Sequence, residues 1–251
     1  MDQTHRRLFA LLGATDADIG LRRMLRRVRD TGFVPFEPEY ALEAFYHLLG
    51  QGRLRPGARL LDLGAGTGNI VAVAAVAGLN ADGIEIDKGL VYRARRKIKT
   101  LRSQGLLPAE VSTHVVWGNY LPQEYFTAHR KGESIASRYE DRPLPPRWRT
   151  HHGGDPYGTL GAEPSSFDSF FCYAWQQQVP SVCEFFSRYA RPDAVLLCAA
   201  WDLPERHEEM LRKLGLEYTI DPYLDGERWR AEGSVRRLPI YEFRKTPQPN
   251  V

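Results

Sequence analysis

Cysteine is scarce: Cys172, Cys183 and Cys198 are the only three in 251 residues, odd in number and without a Cys-x-x-Cys pair. That pattern supports neither a disulfide framework nor a cysteine zinc site, and it points to reduced thiols. Long apolar runs are missing as well. The longest stretch of apolar residues and glycine, Ile70–Leu79, is about half the ~20 residues a membrane helix needs. No apolar signal core with a small-residue cleavage site follows Met1-Asp2-Gln3-Thr4-His5-Arg6-Arg7, so a cytoplasmic protein without membrane partners is expected. Charge of one sign is also absent. Thirty-four basic against 31 acidic residues leave +3, too little for the whole chain to act as a polyelectrolyte partner, although a local basic patch is not excluded. Repeats, low-complexity tracts and a Gly-Lys-Ser/Thr phosphate loop are likewise missing.

What is present, 43% hydrophobic and 26% charged residues, fits one globular domain over residues 1–251. An N-terminal helical segment covers 1–57. Leu8, Leu11 and Leu12 start one apolar stripe, and Leu21, Met24, Leu25 and Val28 form another, interleaved with Arg22, Arg23, Arg26, Arg27 and Arg29. Gly32 is placed to end that helix, and a second is expected from Glu39 to Gly50. From Arg59 onward strands and helices alternate, which implies a largely parallel sheet. Strands are expected at Arg59–Leu63, Ala81–Ile86, Val111–Trp117, Phe167–Tyr173 and Ala194–Ala200, with an antiparallel edge from Leu216–Ile220 and Arg237–Phe243. Between the third and fourth strands, residues 123–166 are polar, rich in Pro and Gly and aperiodic. Such a length suggests a functional lid or a disordered insertion near the ligand-binding edge.

The informative stretch is Leu60-Leu61-Asp62-Leu63-Gly64-Ala65-Gly66-Thr67-Gly68-Asn69-Ile70, an apolar strand running into a glycine-rich turn and a helix. Nucleotide and dinucleotide sites use similar turns, so the glycines alone are weak evidence. Two details separate the candidates. The position where a dinucleotide fingerprint wants a third small residue holds Asn69. Asp62 also ends the strand where a pyrophosphate would otherwise sit, and a carboxylate there repels a phosphate but attracts a cation. S-adenosylmethionine carries a sulfonium and an ammonium and no phosphate, so its charges match. Glu85, at the end of the second strand, suits the ribose hydroxyls, and Asp87 suits the cap of the next helix. After the third strand, Asn119 suits the adenine edge and Tyr120 the face of the ring.

This ordered set resembles the class I S-adenosylmethionine-dependent methyltransferases over about Leu60–Ala200. The resemblance implies a three-layer, Rossmann-like α/β fold with a mostly parallel seven-stranded sheet, N-terminal helices and an insertion between strands 3 and 4. It implies cofactor contacts from Asp62, Gly64, Ala65, Gly66, Gly68, Asn69, Glu85, Ile86, Asn119 and Tyr120, with S-adenosylmethionine as cofactor. Asn119 departs from the Asp common at that position, while keeping the capacity to hydrogen-bond.

The acceptor is less legible. The Asn/Asp-Pro-Pro-aromatic signature of base-amine methyltransferases is absent, as is an Asp-Asn pair of the catechol type. Tyr173 and Trp175, at the end of the fourth strand, are candidate walls of an acceptor channel, and His151 and His152 are candidate bases. Asp168, at that strand's beginning, reads as a turn or capping residue. No metal site is expected from the adjacent histidines. Phe33-Val34-Pro35-Phe36-Glu37-Pro38 looks like a segment of some protein-lysine methyltransferases and favours a polypeptide, with a small molecule equally compatible with a lid. RNA is an alternative, because Arg93, Arg95, Arg96, Lys97, Lys99 and Arg102 make one helix basic. DNA is not expected. A non-catalytic, methyltransferase-like binding subunit is the remaining alternative.

Overall fold

A computed structural model describes residues 3–24, 38–139, 154–174, 178–200, 206–220 and 239–246. The chain divides into two compact units, Met1–Gly118 and Asn119–Val251.

The first unit opens with helices α1 (Gln3–Met24) and α2 (Pro38–Gly50), then alternates β1 (Arg59–Leu63), α3 (Asn69–Val76), β2 (Asn80–Glu85), α4 (Lys88–Ser103) and β3 (Thr113–Trp117). Leu8 and Leu12 of α1 are buried, as are Tyr40, Leu42, Phe45 and Leu48 of α2. α1 is continuous from Gln3 to Met24. The rest of the expected arginine helix, Gly32 and residues 33–37 lie outside the described residues. β1 pairs in parallel with β2, and β2 with β3. α3, with its run of Ile, Val and Ala, is buried from Asn69 to Ala75, as a helix without a polar face must be. α4 turns Leu90, Val91, Ala94, Ile98 and Leu101 inward. Gly83 sets the closeness of one contact: a Cβ there would lie 2.6 Å from Ala65 Cβ and 2.9 Å from Val71 Cγ2.

The second unit comprises α5 (Gln123–Arg130), α6 (Pro156–Leu160), β4 (Ser169–Ala174), α7 (Val179–Tyr189), β5 (Val195–Ala200), α8 (Arg206–Lys213), β6 (Leu216–Ile220) and β7 (Ile240–Lys245). β4 and β5 are parallel, and β7 runs antiparallel to both β5 and β6. Phe170 packs edge-on against Phe185 and Phe186 in its core. The seven strands follow the order β3-β2-β1-β4-β5-β7-β6, the mostly parallel Rossmann-like α/β sheet expected. Among the described residues, no helix is long and apolar enough to cross a membrane. The three cysteines are buried free thiols.

The aperiodic reading of 123–166 needs correction over its described parts. Residues 123–139 and 154–166 form α5, α6 and 3-10 turns at Ala136–Arg138 and Pro164–Ser166, with Tyr125, Phe126, Ala136 and Tyr157 buried. A long-range polar clamp holds the first of these stretches. The buried Glu184 of α7 accepts hydrogen bonds from Ser134 Oγ (2.5 Å), Ala136 N (2.8 Å) and Ile135 N (3.1 Å) and pairs with Arg188 at 2.5 Å.

Candidate active site

The turn after β1 is built from backbone geometry. Gly64, Gly66 and Gly68 all adopt positive φ, at 89°, 53° and 77°, a region that disfavours other residues. The amides of Gly64 and Ala65 donate to Ile84 O (2.9 and 3.0 Å), tying the turn to β2. A Cβ at Gly64 would meet nothing within 4 Å, so this face of the turn is open to a ligand.

Two buried carboxylates stand at the ends of β1 and β2, and their surroundings differ. Glu85 is fully engaged: Oε2 accepts from Gly66 N and Oε1 from Asp87 N, both at 2.8 Å. Each oxygen keeps a further lone pair for a ligand hydroxyl. Burial pushes the Glu85 pKa up, and the backbone hydrogen bonds oppose that. Asp62 is 2% exposed, and its Oδ2 is buried without a hydrogen-bond partner among the described residues. Burial, then the neighbouring Glu85 charge, hold its pKa well above the ordinary carboxylate range. A buried acceptor without a donor is costly unless something supplies one. A cationic ligand does so.

Asp87 caps α4 as expected, Oδ1 accepting from Gly89 N (2.7 Å) and Leu90 N (3.1 Å). The Ile86 carbonyl accepts from Trp117 Nε1 at 3.0 Å. Lys97 departs from the basic face to which the RNA alternative assigned it. It is buried, and its ammonium donates to Thr67 Oγ1 (3.0 Å) and to Asn69 Oδ1. It thereby fastens the glycine turn to α4. Its spacing from Leu90, Ala94 and Leu101, all on the apolar side of the helix, is the signal that marks it as inward.

In the second unit, Asn119 is buried, its Oδ1 accepting from Leu121 N at 3.0 Å while Nδ2 has no partner. An unused buried donor suits an adenine ring nitrogen. The Tyr120 ring is buried edge-on against Phe185 at 5.9 Å, and its carbonyl accepts from Tyr157 Oη at 2.7 Å. Asp168 pairs with Arg191 at 2.7 Å. Tyr173 is half-buried on β4, and desolvation raises its pKa, so its hydroxyl stays protonated at neutral pH. Trp175, His151 and His152 lie outside the described residues. Among those described, no group of three or more His, Cys, Asp or Glu side chains is arranged to hold a metal.

The family profile of protein-L-isoaspartate(D-aspartate) O-methyltransferase matches residues 39–124. That span holds the glycine turn, the orphaned Asp62 and the braced Glu85. Over that span, about a third of the chain, the sequence is similar to this methyltransferase family.

No curated protein sequence matches this chain significantly. Solved structures with a similar chain path include a SAM-dependent methyltransferase from Agrobacterium tumefaciens (13% identity, TM-score 0.48, 85% of this chain and 63% of that one). A TehB-like SAM-dependent methyltransferase from Corynebacterium glutamicum matches at 12% identity and TM-score 0.45, over 93% of this chain and all of that one. The chain thus spans less than two thirds of the Agrobacterium protein's length.

Proposed function

We propose that the chain moves a methyl group from S-adenosylmethionine to a nucleophile on a protein side chain or a small molecule, with a polypeptide favoured. The buried, unpartnered Oδ2 of Asp62 beside the open glycine turn carries the cofactor side of this reading. The name of the matching family profile supports the polypeptide.

The bound cofactor supplies an electrophilic methyl group on a positively charged sulfur. The residues present fit such a ligand. Asp62 would accept a hydrogen bond from its ammonium and balance its charge, and Glu85 would take the ribose hydroxyls on its remaining lone pairs. The Gly66 amide, already donating to Glu85, braces the acid rather than the ligand. The protein's share of the rate lies in positioning and in exclusion of water. The acceptor's state at pH 7 decides what more it needs. A carboxylate is ionised and ready to attack, whereas a lysine amine must first lose a proton at a cost of about 4–5 kcal/mol. Tyr173, kept protonated by desolvation, is suited to donate a hydrogen bond rather than to act as a base.

Incubation of the protein with methyl-labelled S-adenosylmethionine and a cell extract, followed by mass spectrometry of the labelled fraction, tests the proposal. Label on a polypeptide or a small molecule is expected. Label on RNA would overturn the acceptor class, and cofactor binding without any transfer would overturn the catalytic reading.

A further inference from the structure

The outer face of α4 is not used by the cofactor site. From Lys88 to Ala109 the sequence holds seven basic residues and no acidic one. Six side chains on α4 are exposed on one side: Lys88, Tyr92, Arg95, Arg96, Lys99 and Arg102. At 100° per residue they fall within an arc of about 120° and run along roughly 21 Å of helix. The cations are not consumed by acids. Arg96 and Lys99 make no side-chain hydrogen bond or ion pair with any described residue. Arg95 Nε donates to Val115 O (2.7 Å), and an Arg102 terminal nitrogen to Val111 O and Thr113 Oγ1 (3.0 Å each). Those bonds hold both guanidinium groups in place without neutralising them. The exposed Arg7 of α1 extends the stripe past the end of α4, where it donates to Gln104 Oε1 at 3.2 Å.

Tyr92 sits within this stripe at 68% exposure, the most exposed large hydrophobic side chain among the described residues. A flat ring flanked by fixed, unneutralised cations matches the chemistry of a single nucleic-acid strand, whose bases stack while its phosphates meet the cations. An acidic polypeptide would use the charges and leave the ring without a role.

We propose that the outer face of α4 docks single-stranded RNA. This goes beyond the methyl-transfer reading and does not depend on it, because the surface binds whether or not the cofactor is present.

Fluorescence anisotropy of an end-labelled uridine 20-mer with the full chain tests it. Four or five phosphate contacts give a salt slope near −3, so affinity should fall roughly 60-fold between 50 and 200 mM salt. Arg96→Glu combined with Lys99→Glu should weaken binding at least about tenfold, and Tyr92→Ala about tenfold through lost stacking. Both variants should bind S-adenosylmethionine as the unaltered chain does, which shows that the fold is intact. RNA affinity unchanged in both variants would overturn the proposal, as would a polyglutamate peptide that binds as tightly as the RNA.

Discussion

The two ends of the β1-β2-β3 sheet treat buried carboxylates in opposite ways. Toward the strands' amino ends, Asp82 accepts from Arg59 at 3.0 Å and contacts His114 Nδ1 at 2.9 Å, each oxygen having its own partner. At the carboxyl ends, among the described residues, Asp62 keeps an oxygen with no partner, and Glu85 is held by backbone amides and no cation. Both ends belong to one unit and both aspartates are nearly inaccessible, so burial alone does not explain the contrast. What differs is the missing counter-charge. Where the chain supplies its own cation, the carboxylate is part of the scaffold. Where it does not, the proposed cofactor would bring the cation.

Substitutions that break each end should therefore register in different measurements. The largest expected effect is at the scaffold end. Asp82→Ala strands Arg59 and His114, both partly exposed, and should cost about 2–3 kcal/mol of folding stability in urea denaturation. Its affinity for S-adenosylmethionine, measured calorimetrically on the folded protein, should be unchanged. Glu85→Ala straddles the contrast. It frees the buried Gly66 and Asp87 amides and removes the ribose acceptor, so stability and cofactor affinity should each fall by about 1–2 kcal/mol. Smaller again is Lys97→Met, which loosens Thr67 and Asn69. It should weaken cofactor binding about fivefold, with Lys97→Arg recovering part of that by equilibrium dialysis.

Acidity sharpens the contrast further. The folded-state pKa of Asp62 is raised, mainly by burial and then by Glu85. Its contribution to the stability of the cofactor-free chain is therefore complete below the unfolded value, near 3.9, and is lost as pH rises through the folded value. Binding of a cation has the opposite sign, because it needs the ionised form. Cofactor affinity should fall on acidification below the folded pKa, by up to roughly tenfold per pH unit. A dissociation constant that is flat with pH would sever Asp62 from the ligand.

The cofactor end was legible in the sequence because its geometry restricts residue identity. Gly64, Gly66 and Gly68 all sit at positive φ, and Asp87 caps the helix that follows it. Strands β1 to β5 lie within about two residues of the expected limits for the same reason: apolar runs between turn signals leave few alternatives. Lys97 was misread because a charge run conceals a single inward position, and only the helical angle it shares with Leu90 and Leu101 reveals it. The 123–166 segment was unreadable for another reason. Glu184 reaches Ser134, Ile135 and Ala136 across some fifty positions, and no local pattern announces such a clamp. The acceptor is illegible in a similar way, since nothing local to Tyr173 names what lies against it.

The most direct test of the missing counter-charge is Asp62→Asn, with folding stability and S-adenosylmethionine affinity measured on the same preparation at pH 7.5. Removing a buried, partnerless charge while keeping its shape should leave the cofactor-free protein at least as stable as before. Loss of the charge-assisted contact should weaken cofactor binding by about 2 kcal/mol, roughly 30-fold. A variant that is markedly less stable yet binds the cofactor with unchanged affinity would contradict the account, because Asp62 would then be scaffold, as Asp82 is.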